Sequence, residues 1–245
     1  MSNVLILREP DKAAELKKRL LSLSHQVDVY SPIIIKALQP NKVPAITPDS
    51  IVVFISQNAV QNTPTDWFQE LKKIDVTVIA VGPATKKALE AVGIKAKSPQ
   101  ASYDLKNPHS SEGVLQMKCW NKVTPDHVVI VRGLGGREHL KDALTSKGIG
   151  VEYLEVYERI QVSISPEVIQ SVSIGLYQTV IAYSFEGLKV FTNSLHQSNI
   201  ATNQLDLVVL GQSMANKAES LKFKSVIAAQ DSSVDSFVTA VKSLI

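Results

Sequence analysis

Three glycines follow a short apolar run in the segment VVIVRGLGGREHL, from Val128 to Leu140. The apolar run predicts a buried strand, and the residues after the glycines predict a helix. We expect Gly133, Gly135 and Gly136 to adopt positive φ angles and to leave backbone N–H groups open to a ligand, while the helix start adds a partial positive charge. This combination suits an anion, although a tight strand-to-helix turn without a ligand has the same sequence.

Other polar residues and glycines stand directly after apolar runs, at positions where strands are expected to end. Ligands of open parallel sheets bind at the carboxyl ends of the strands, so two such edges facing each other would make one large cleft. Its hydroxyls, backbone N–H groups and arginines would suit a ligand with several carboxylates or phosphates. Serine and threonine at strand ends are also common helix caps with no further role. The residues at these positions are Arg8, Ser56, Gly82, Thr85, Arg132, Ser184, Gly211 and Ser213.

Several other chemistries do not fit the sequence. GLGGRE departs from the G-x-G-x-x-G pattern of dinucleotide sites, and no P-loop is present. Gly211 to Ala215 resembles a nucleophile elbow, but the last histidine is His196, and a hydrolase of that order needs a histidine after the serine. The five histidines and one cysteine lack metal-ligand spacing. We therefore expect neither a metal nor an organic cofactor.

The composition excludes further classes. There are 26 basic and 23 acidic residues and no basic run longer than three residues, so a nucleic-acid-binding surface is not expected. No apolar run approaches the roughly 18 residues of a membrane span, and charges from Arg8 onward leave no room for a signal peptide. Cys119 is the single cysteine, which agrees with a reducing compartment. We expect a cytoplasmic protein that binds neither membranes nor nucleic acid.

Strand patterns alternate with helix patterns along the whole chain. This order predicts an α/β fold, with parallel sheets covered by helices on both faces. Two segments interrupt this alternation: an extended connector from Ser31 to Pro48, which holds four prolines, and a polar segment from Arg159 to Ser173. The predicted strands are 4–7, 27–30, 51–56, 76–82, 94–96, 128–131, 151–157, 179–184, 205–211 and 225–229.

The chain also resembles itself. VLILRE aligns with VVIVRG, so that Arg8 matches Arg132, and VDVY aligns with VEYL. Farther on, FISQNAV aligns with AYSFEGL, and the two glycine-containing strand ends align as well. The chain is thus five strand–helix units given twice, which predicts two similar open-sheet domains. Each domain could be one contiguous half, or the middle of the chain could be inserted in the other domain; the proline-rich connector, which comes after only two strands, favours insertion.

Five segments in this order and spacing resemble the uroporphyrinogen-III synthase family: FISQNAV, AVGPATKKALEAVG, SSEGVL, VVIVRGLGGREHLKDALTSKGIGVEYLEVYER and YSFEGLKVF. The resemblance spans essentially the whole chain. It implies two flavodoxin-like parallel-sheet domains, one inserted in the other, joined by a two-stranded linker. The implied boundaries are 1–34 with 163–245 for the discontinuous domain, 40–152 for the inserted domain, and 35–39 and 153–162 for the linker strands.

The resemblance also implies an activity. Members of this family close linear hydroxymethylbilane to a macrocycle, with loss of water and inversion of the last pyrrole ring, ring D, in porphyrin biosynthesis. The implied enzyme is a monomeric lyase without a cofactor, and a transient handover of substrate from hydroxymethylbilane synthase is compatible with it. A non-catalytic two-domain protein that binds a polyanionic small molecule is the alternative.

The resemblance assigns Tyr157 the catalytic role of donating a hydrogen bond to the departing hydroxyl; the alternative is a linker tyrosine packed for structure. Ser56, Thr85 and Ser184 match substrate-binding positions of the family. Where the family often has Gly-Pro-Arg/Thr-Thr, this chain has Gly211, Gln212, Ser213 and Met214, so only backbone contacts carry over there. The matching motifs add further expected substrate contacts at Gln57, Asn58, Ser111, Glu186 and Gly187.

Overall fold

A computed structural model describes residues 2–100, 108–121, 125 and 127–244. The chain divides into two compact units, one made of Met1–Ile34 with Ile160–Ile245 and one of Ile35–Arg159. We call them the discontinuous unit and the central unit.

The ten strands of the described chain each belong to one of two sheets. They are β1 (Asn3–Leu7), β2 (Gln26–Tyr30), β3 (Ile33–Ala37), β4 (Ile51–Phe54), β5 (Thr77–Ala80), β6 (His127–Gly133), β7 (Gly150–Gln161), β8 (Thr179–Ala182), β9 (Asp206–Leu210) and β10 (Ser225–Ala229).

Ten α-helices alternate with these strands in the described ranges. They are α1 (Pro10–Ser22), α2 (Gln57–Gln61), α3 (Thr65–Lys73), α4 (Pro83–Ala91), α5 (Ser111–Leu115), α6 (His139–Thr145), α7 (Pro166–Ser173), α8 (Phe185–Gln197), α9 (Gly211–Ala218) and α10 (Val234–Lys242). Two 3-10 turns are also present, at Lys118–Asn121 and Glu219–Leu221.

The sheet of the discontinuous unit has the order β10-β9-β8-β1-β2, and its strands are parallel. Renumbered within the unit, this is the flavodoxin order, in which the direction of winding reverses between β1 and β8. The centre of β1 is fully buried because helices cover both faces of the sheet. Phe191 belongs to the apolar cluster on one face and Phe237 to the cluster on the other.

The central unit has a sheet of order β3-β7-β6-β4-β5, in which β7, β6, β4 and β5 are parallel. Its winding reverses between β4 and β6. One face packs on Phe54, Trp67 and Phe68, and the other on Leu140 and Leu144. Two parallel sheets with helices on both faces confirm the predicted fold class.

The edge strand β3 runs antiparallel to β7. Leu38 donates its backbone N–H to the Val156 carbonyl at 2.9 Å, and Val162 donates to the Pro32 carbonyl at the same distance. Lys36 also lies 3.0 Å from Glu158. The two segments in which the chain passes from one unit to the other are therefore hydrogen-bonded to each other, as a two-stranded linker requires.

The predicted repeat is confirmed by the strand order. Aligning β1 with β6, β2 with β7, β4 with β8 and β5 with β9 makes the order β9-β8-β1-β2 equivalent to β5-β4-β6-β7. Beyond β5, a single parallel bridge from Ile79 to Lys97 occupies the place that β10 holds in the other sheet. The predicted strand 94–96 is reduced to this bridge.

Three expectations about the elements need correction. The polar segment from Arg159 contains helix α7, which begins at Pro166 and is capped by Ser165. Residues 153–157, assigned to a linker strand, pair with β6 within the central sheet. The helix after the glycines begins only at His139, so residues 134–138 form a loop in between. The Ser, Asn and Pro residues from Ser98 to Ser111 predict a loop, and part of that segment lies outside the described residues.

Candidate active site

The carboxyl ends of the central unit's strands bring several predicted residues to one edge of its sheet. Ser56 follows β4, Gly82 follows β5 and Gly133 ends β6. Tyr157 lies opposite Gly133 on β7. Because β4 and β6 flank the point where the winding reverses, this edge is the position at which open α/β sheets bind ligands.

Ser56 and Tyr157 form a hydroxyl pair at this edge. The Ser56 Oγ lies 3.1 Å from the Tyr157 Oη. Ser56 also caps α2, because its Oγ accepts the Ala59 N–H at 3.0 Å. Tyr157 is only 3% exposed and belongs to the apolar cluster of the central unit. The position of the Tyr157 hydroxyl is thus set by the packing of its own ring and by its contact with the serine that caps α2.

Gly133 makes room for the tyrosine ring. A Cβ at this position would lie 2.6 Å from the Tyr157 Cε2 and 2.7 Å from its Cζ. The register between β6 and β7 shifts at Gly133, and Leu134 donates its N–H to the Tyr157 carbonyl at 2.7 Å. The expectation of a positive φ at Gly133 was wrong; the glycine is needed there for the close approach of the ring.

Gly135 and Gly136 do adopt positive φ angles, of 73° and 104°. Hydrogen bonds from the side chain of Arg132, which is 3% exposed, hold the loop that contains these glycines. The Arg132 Nε donates to the Gly133 carbonyl at 3.1 Å, and its Nη2 donates to the Gly135 carbonyl. Because Arg132 is buried and donates to two carbonyls of this loop, a substrate anion would have to compete with these contacts.

Two glutamates neutralise Arg132. Its Nη1 lies 3.0 Å from Glu138, and its Nε lies 3.6 Å from Glu155. Glu155 also accepts the Gly135 N–H at 3.3 Å. At the glycines, where the sequence predicted an anion-binding site, carboxylates of the protein itself therefore lie next to Arg132 and the Gly135 N–H.

Tyr153 completes this cluster. Its ring lies 4.2 Å from the Arg132 guanidinium carbon, and its hydroxyl donates to Glu138 at 2.7 Å. Burial, together with the hydrogen bond to Glu138, raises the pKa of Tyr153 to about 12. The hydrogen bond from Tyr153, aided by Arg132, lowers the pKa of Glu138.

The remaining residues of the central edge are mostly at helix starts. Gly82 immediately precedes α4, and a Cβ added at Gly82 would lie 3.2 Å from the His109 Cβ. Thr85 is buried in the first turn of α4. Ser111 is the first residue of α5, whose cap is Ser110. Gln57 is exposed, and Asn58 is partly exposed, in the first turn of α2.

The discontinuous unit has an edge of the same kind. Arg8 follows β1 and Ser184 follows β8, on either side of the point where its winding reverses. Ser184 caps α8 by accepting the Gly187 N–H at 3.1 Å, and a Cβ at Gly187 would lie 3.0 Å from the Pro32 Cγ. Glu186 is partly exposed in the same helix turn.

Arg8 differs from its repeat counterpart Arg132. Its guanidinium carbon stacks 3.7 Å from the centroid of the Tyr183 ring, and the side chain is partly exposed. Burial raises the pKa of Tyr183, while the positive charge of Arg8 opposes that shift. In the described part of the chain no carboxylate forms an ion pair with Arg8, so this arginine retains the ability to bind an anion.

A family model described as uroporphyrinogen-III synthase HemD matches residues 14–239, which include most of both compact units. The chain belongs to the uroporphyrinogen-III synthase family. Two curated uroporphyrinogen-III synthases are similar to it. That of Escherichia coli (strain K12) is 29% identical over 168 residues, covering 64% of this chain and 65% of the relative. That of Salmonella typhimurium is 27% identical over 124 residues, covering 49% and 47%. Each match spans less than two thirds of the relative's length.

Two solved structures of uroporphyrinogen-III synthases share the fold. The protein of Helicobacter pylori 26695 superposes with a TM-score of 0.64 at 14% identity, covering 100% of both chains. A mutant of the Thermus thermophilus protein superposes with a TM-score of 0.59 at 12% identity, covering 99% of this chain and 98% of that one. At these identities the likeness concerns the two-domain α/β architecture alone.

The segment after β9 is the one for which the sequence predicted backbone contacts only. Gly211 has a φ of 73° and begins α9. Gln212 donates to the Asn216 side chain at 2.8 Å, and Ser213 is exposed. The strand therefore ends in a glycine turn at the start of α9, and backbone contacts with a substrate at this turn remain a prediction.

Sequence reasoning missed four residues of these two edges: Glu138, Tyr153, Glu155 and Tyr183. The contact of Tyr183 with Arg8 could have been predicted only from the strand register. Leu7 pairs with Ala182, and the residues that follow them are Arg8 and Tyr183. Within the described ranges, no group of three or more His, Cys, Asp or Glu residues could hold a metal ion. No described helix combines the length and apolar character needed to cross a bilayer.

Proposed function

We propose that this protein is a lyase that cyclises hydroxymethylbilane to uroporphyrinogen III, with loss of water and inversion of ring D. The observation that carries the proposal is the family match over residues 14–239. The Ser56–Tyr157 hydroxyl pair, at the ligand-binding edge of the central sheet, supports it chemically.

The reaction begins with the loss of a hydroxyl group. The substrate C–O bond breaks as the Tyr157 hydroxyl gives its proton to the departing oxygen, which leaves as water. The lone pair of the pyrrole nitrogen fills the vacancy and gives an azafulvenium ion. The last ring attacks this ion through its substituted carbon and forms a spiro intermediate. The bond from that carbon to its original methylene bridge then breaks, and the freed bridge is attacked by the unsubstituted α-carbon of the same ring. This carbon gives its proton to the phenolate as the aromatic system is restored.

The protein must also impose the inverted closure. Unaided closure joins the last ring without inversion, so the chain has to hold the substrate in a conformation that favours attack by the substituted carbon. The substrate's many carboxylates offer the means of holding it. Arg8, the exposed helix starts near Ser184 and Ser213, and the backbone N–H groups after Gly82 and Gly211 are the proposed contacts.

The proposal extends to the setting of the protein. A single cysteine fits a reducing cytoplasm. A monomer without cofactor, receiving its substrate by transient handover from hydroxymethylbilane synthase, completes the proposed picture.

The test is a turnover assay with hydroxymethylbilane, followed by separation of the product isomers I and III. We expect isomer III to dominate, against isomer I in the protein-free control. Tight binding of hydroxymethylbilane with isomer I as the product would instead identify a non-catalytic binding protein.

A further inference from the structure

Ser56 has a fixed position and a limited number of hydrogen-bonding groups. Its Oγ accepts the Ala59 N–H at 3.0 Å and contacts the Tyr157 Oη at 3.1 Å. A hydroxyl group has one hydrogen and two lone pairs. The helix cap uses one lone pair, so the hydrogen of Ser56 is available to the phenol oxygen.

We infer that Ser56 is a positioning residue that donates its hydrogen bond to Tyr157. This inference rests on the proposed function and changes the expected role of Ser56 from a substrate contact to a residue that acts through the tyrosine. With Ser56 as donor, the phenol hydrogen points away from Ser56 and is free for the departing hydroxyl. With the reverse polarity, the phenol hydrogen would be used within the protein.

The same hydrogen bond assists the proton transfer. When Tyr157 gives up its proton, negative charge forms on the phenol oxygen, and a donor already aimed at that oxygen stabilises the charge without reorganisation. The phenolate keeps this hydrogen bond until it regains its proton during ring closure. Ser56 itself neither gains nor loses a proton.

The surroundings prevent either partner from turning away. Ser56 has extended backbone angles, with φ −161° and ψ 163°, set by its place at the start of α2. The Tyr157 ring rests against Gly133, where a Cβ would come within 2.6 Å. The cap and the ring packing therefore keep the two hydroxyl oxygens within hydrogen-bonding distance before substrate arrives.

The first test compares Ser56→Ala with Ser56→Thr and with Ser165→Ala. Ser165 caps α7 by accepting the Val168 N–H at 3.4 Å, so its substitution reproduces the loss of a cap. We expect Ser56→Ala to lower kcat about ten- to a hundredfold, the effect of losing one donor to a charged oxygen, with little change in KM. Ser56→Thr should restore kcat, and Ser165→Ala should shift only the thermal midpoint.

A double-mutant comparison separates this role from substrate binding. In the Tyr157→Phe background, Ser56→Ala should lower kcat no further, because the oxygen it serves is gone. A rise in KM, or an equal loss of kcat in both backgrounds, would overturn the inference and make Ser56 a substrate contact.

A second measurement needs no turnover. The intensity ratio of the tyrosine Fermi doublet in the Raman spectrum depends on whether a phenol donates or accepts its hydrogen bond, and Tyr157→Phe identifies the contribution of Tyr157. We expect an accepting phenol that loses this signature in Ser56→Ala. A donating phenol in the unsubstituted protein would refute the inference, even in a protein that fails the isomer assay.

Discussion

The position of the Tyr157 ring depends on Gly133, which has no side chain. We expect Gly133→Ala to force the ring aside, because the added methyl would lie 2.6 Å from it, and to lower the free energy of unfolding by about 1–3 kcal/mol. Turnover should fall with it. Chemical denaturation and initial rates measure both effects. In the Tyr157→Ala background, Gly133→Ala should change the free energy of unfolding only slightly, because the ring is absent. An equally large loss of stability in that background would show that the methyl group clashes with another part of the protein.

Removal of the Tyr157 hydroxyl tests the acid directly. We expect Tyr157→Phe to lower kcat about a hundred- to ten-thousand-fold, with a smaller effect on KM, because the substrate's carboxylates are held by other residues. The fold should survive, since the ring remains. Initial rates, the isomer ratio and a thermal melt of each protein are the measurements. Turnover equal to that of the unsubstituted protein would reduce Tyr157 to a packing residue.

The two repeat-related arginines should respond differently to the same substitution. Arg8→Gln should raise KM about ten- to a hundredfold and leave the thermal midpoint nearly unchanged, because its guanidinium lacks a carboxylate partner in the described chain. Arg132→Gln should instead lower the free energy of unfolding by roughly 2 kcal/mol, because it leaves two carbonyls and two glutamates without their donor. Equal KM effects would show that both contact the substrate.

At the residue scale, the sequence was informative about position and less so about role. The carboxyl ends of strands were predicted correctly, since apolar runs end where Ser56 and Gly133 stand. The partners of Arg132 were not, because Glu155 and Tyr153 reach it from a neighbouring strand through a register that no local pattern reveals. The substrate contacts themselves remain predictions.

The glycine loop is the element whose order should depend on pH. Glu138 has its pKa lowered below the usual 4.5 by Tyr153 and Arg132, so its contacts with these two residues are complete at neutral pH and are lost as pH falls through that lowered pKa. We expect lower protection factors for the amides of Gly135 and Gly136 in acid, each measured against the intrinsic exchange rate at the same pH. Glu138→Gln should lower the same protection factors at neutral pH; unchanged protection in that variant would show that other contacts hold the loop.

Elements with strong local signals were predicted well, and those without them were not. Buried runs such as VLIL and TVIA became strands because parallel strands are apolar on both faces. Helix α7 was missed because Pro166 and the polar residues around it resemble a loop, although Pro in the first turn after a serine cap is a helix start. The insertion was favoured by the prolines alone and needed the family resemblance to become definite.

At the scale of the whole molecule, the central unit is a continuous piece of chain with its own sheet and two apolar faces. We propose that it is an independently folding inserted domain. A fragment of residues 35–159 should then unfold cooperatively, with helix and strand signals in its circular dichroism spectrum. Residues 160–245 alone should not, because their sheet lacks β1 and β2. A disordered 35–159 fragment would contradict the proposal.

Activity should not depend on a metal ion. Because the proposed chemistry uses a tyrosine hydroxyl and the substrate's own pyrrole nitrogen, EDTA should leave the rate and the isomer ratio unchanged. Loss of activity in EDTA, with recovery on adding back one metal, would overturn the proposed mechanism.

The matching strand orders of the two sheets are the pattern that a tandem duplication with exchanged segments would produce. Numbered along the chain, the strand–helix units run one to five and then one to five again, yet each sheet combines units one and two of one copy with units three to five of the other. Duplication of a gene for a five-unit ancestor, whose chains had paired by exchanging segments, leaves this pattern. A half-chain expressed by itself would therefore need a second half-chain to complete its sheets. The intertwined dimer that two such half-chains form would resemble the paired five-unit ancestor.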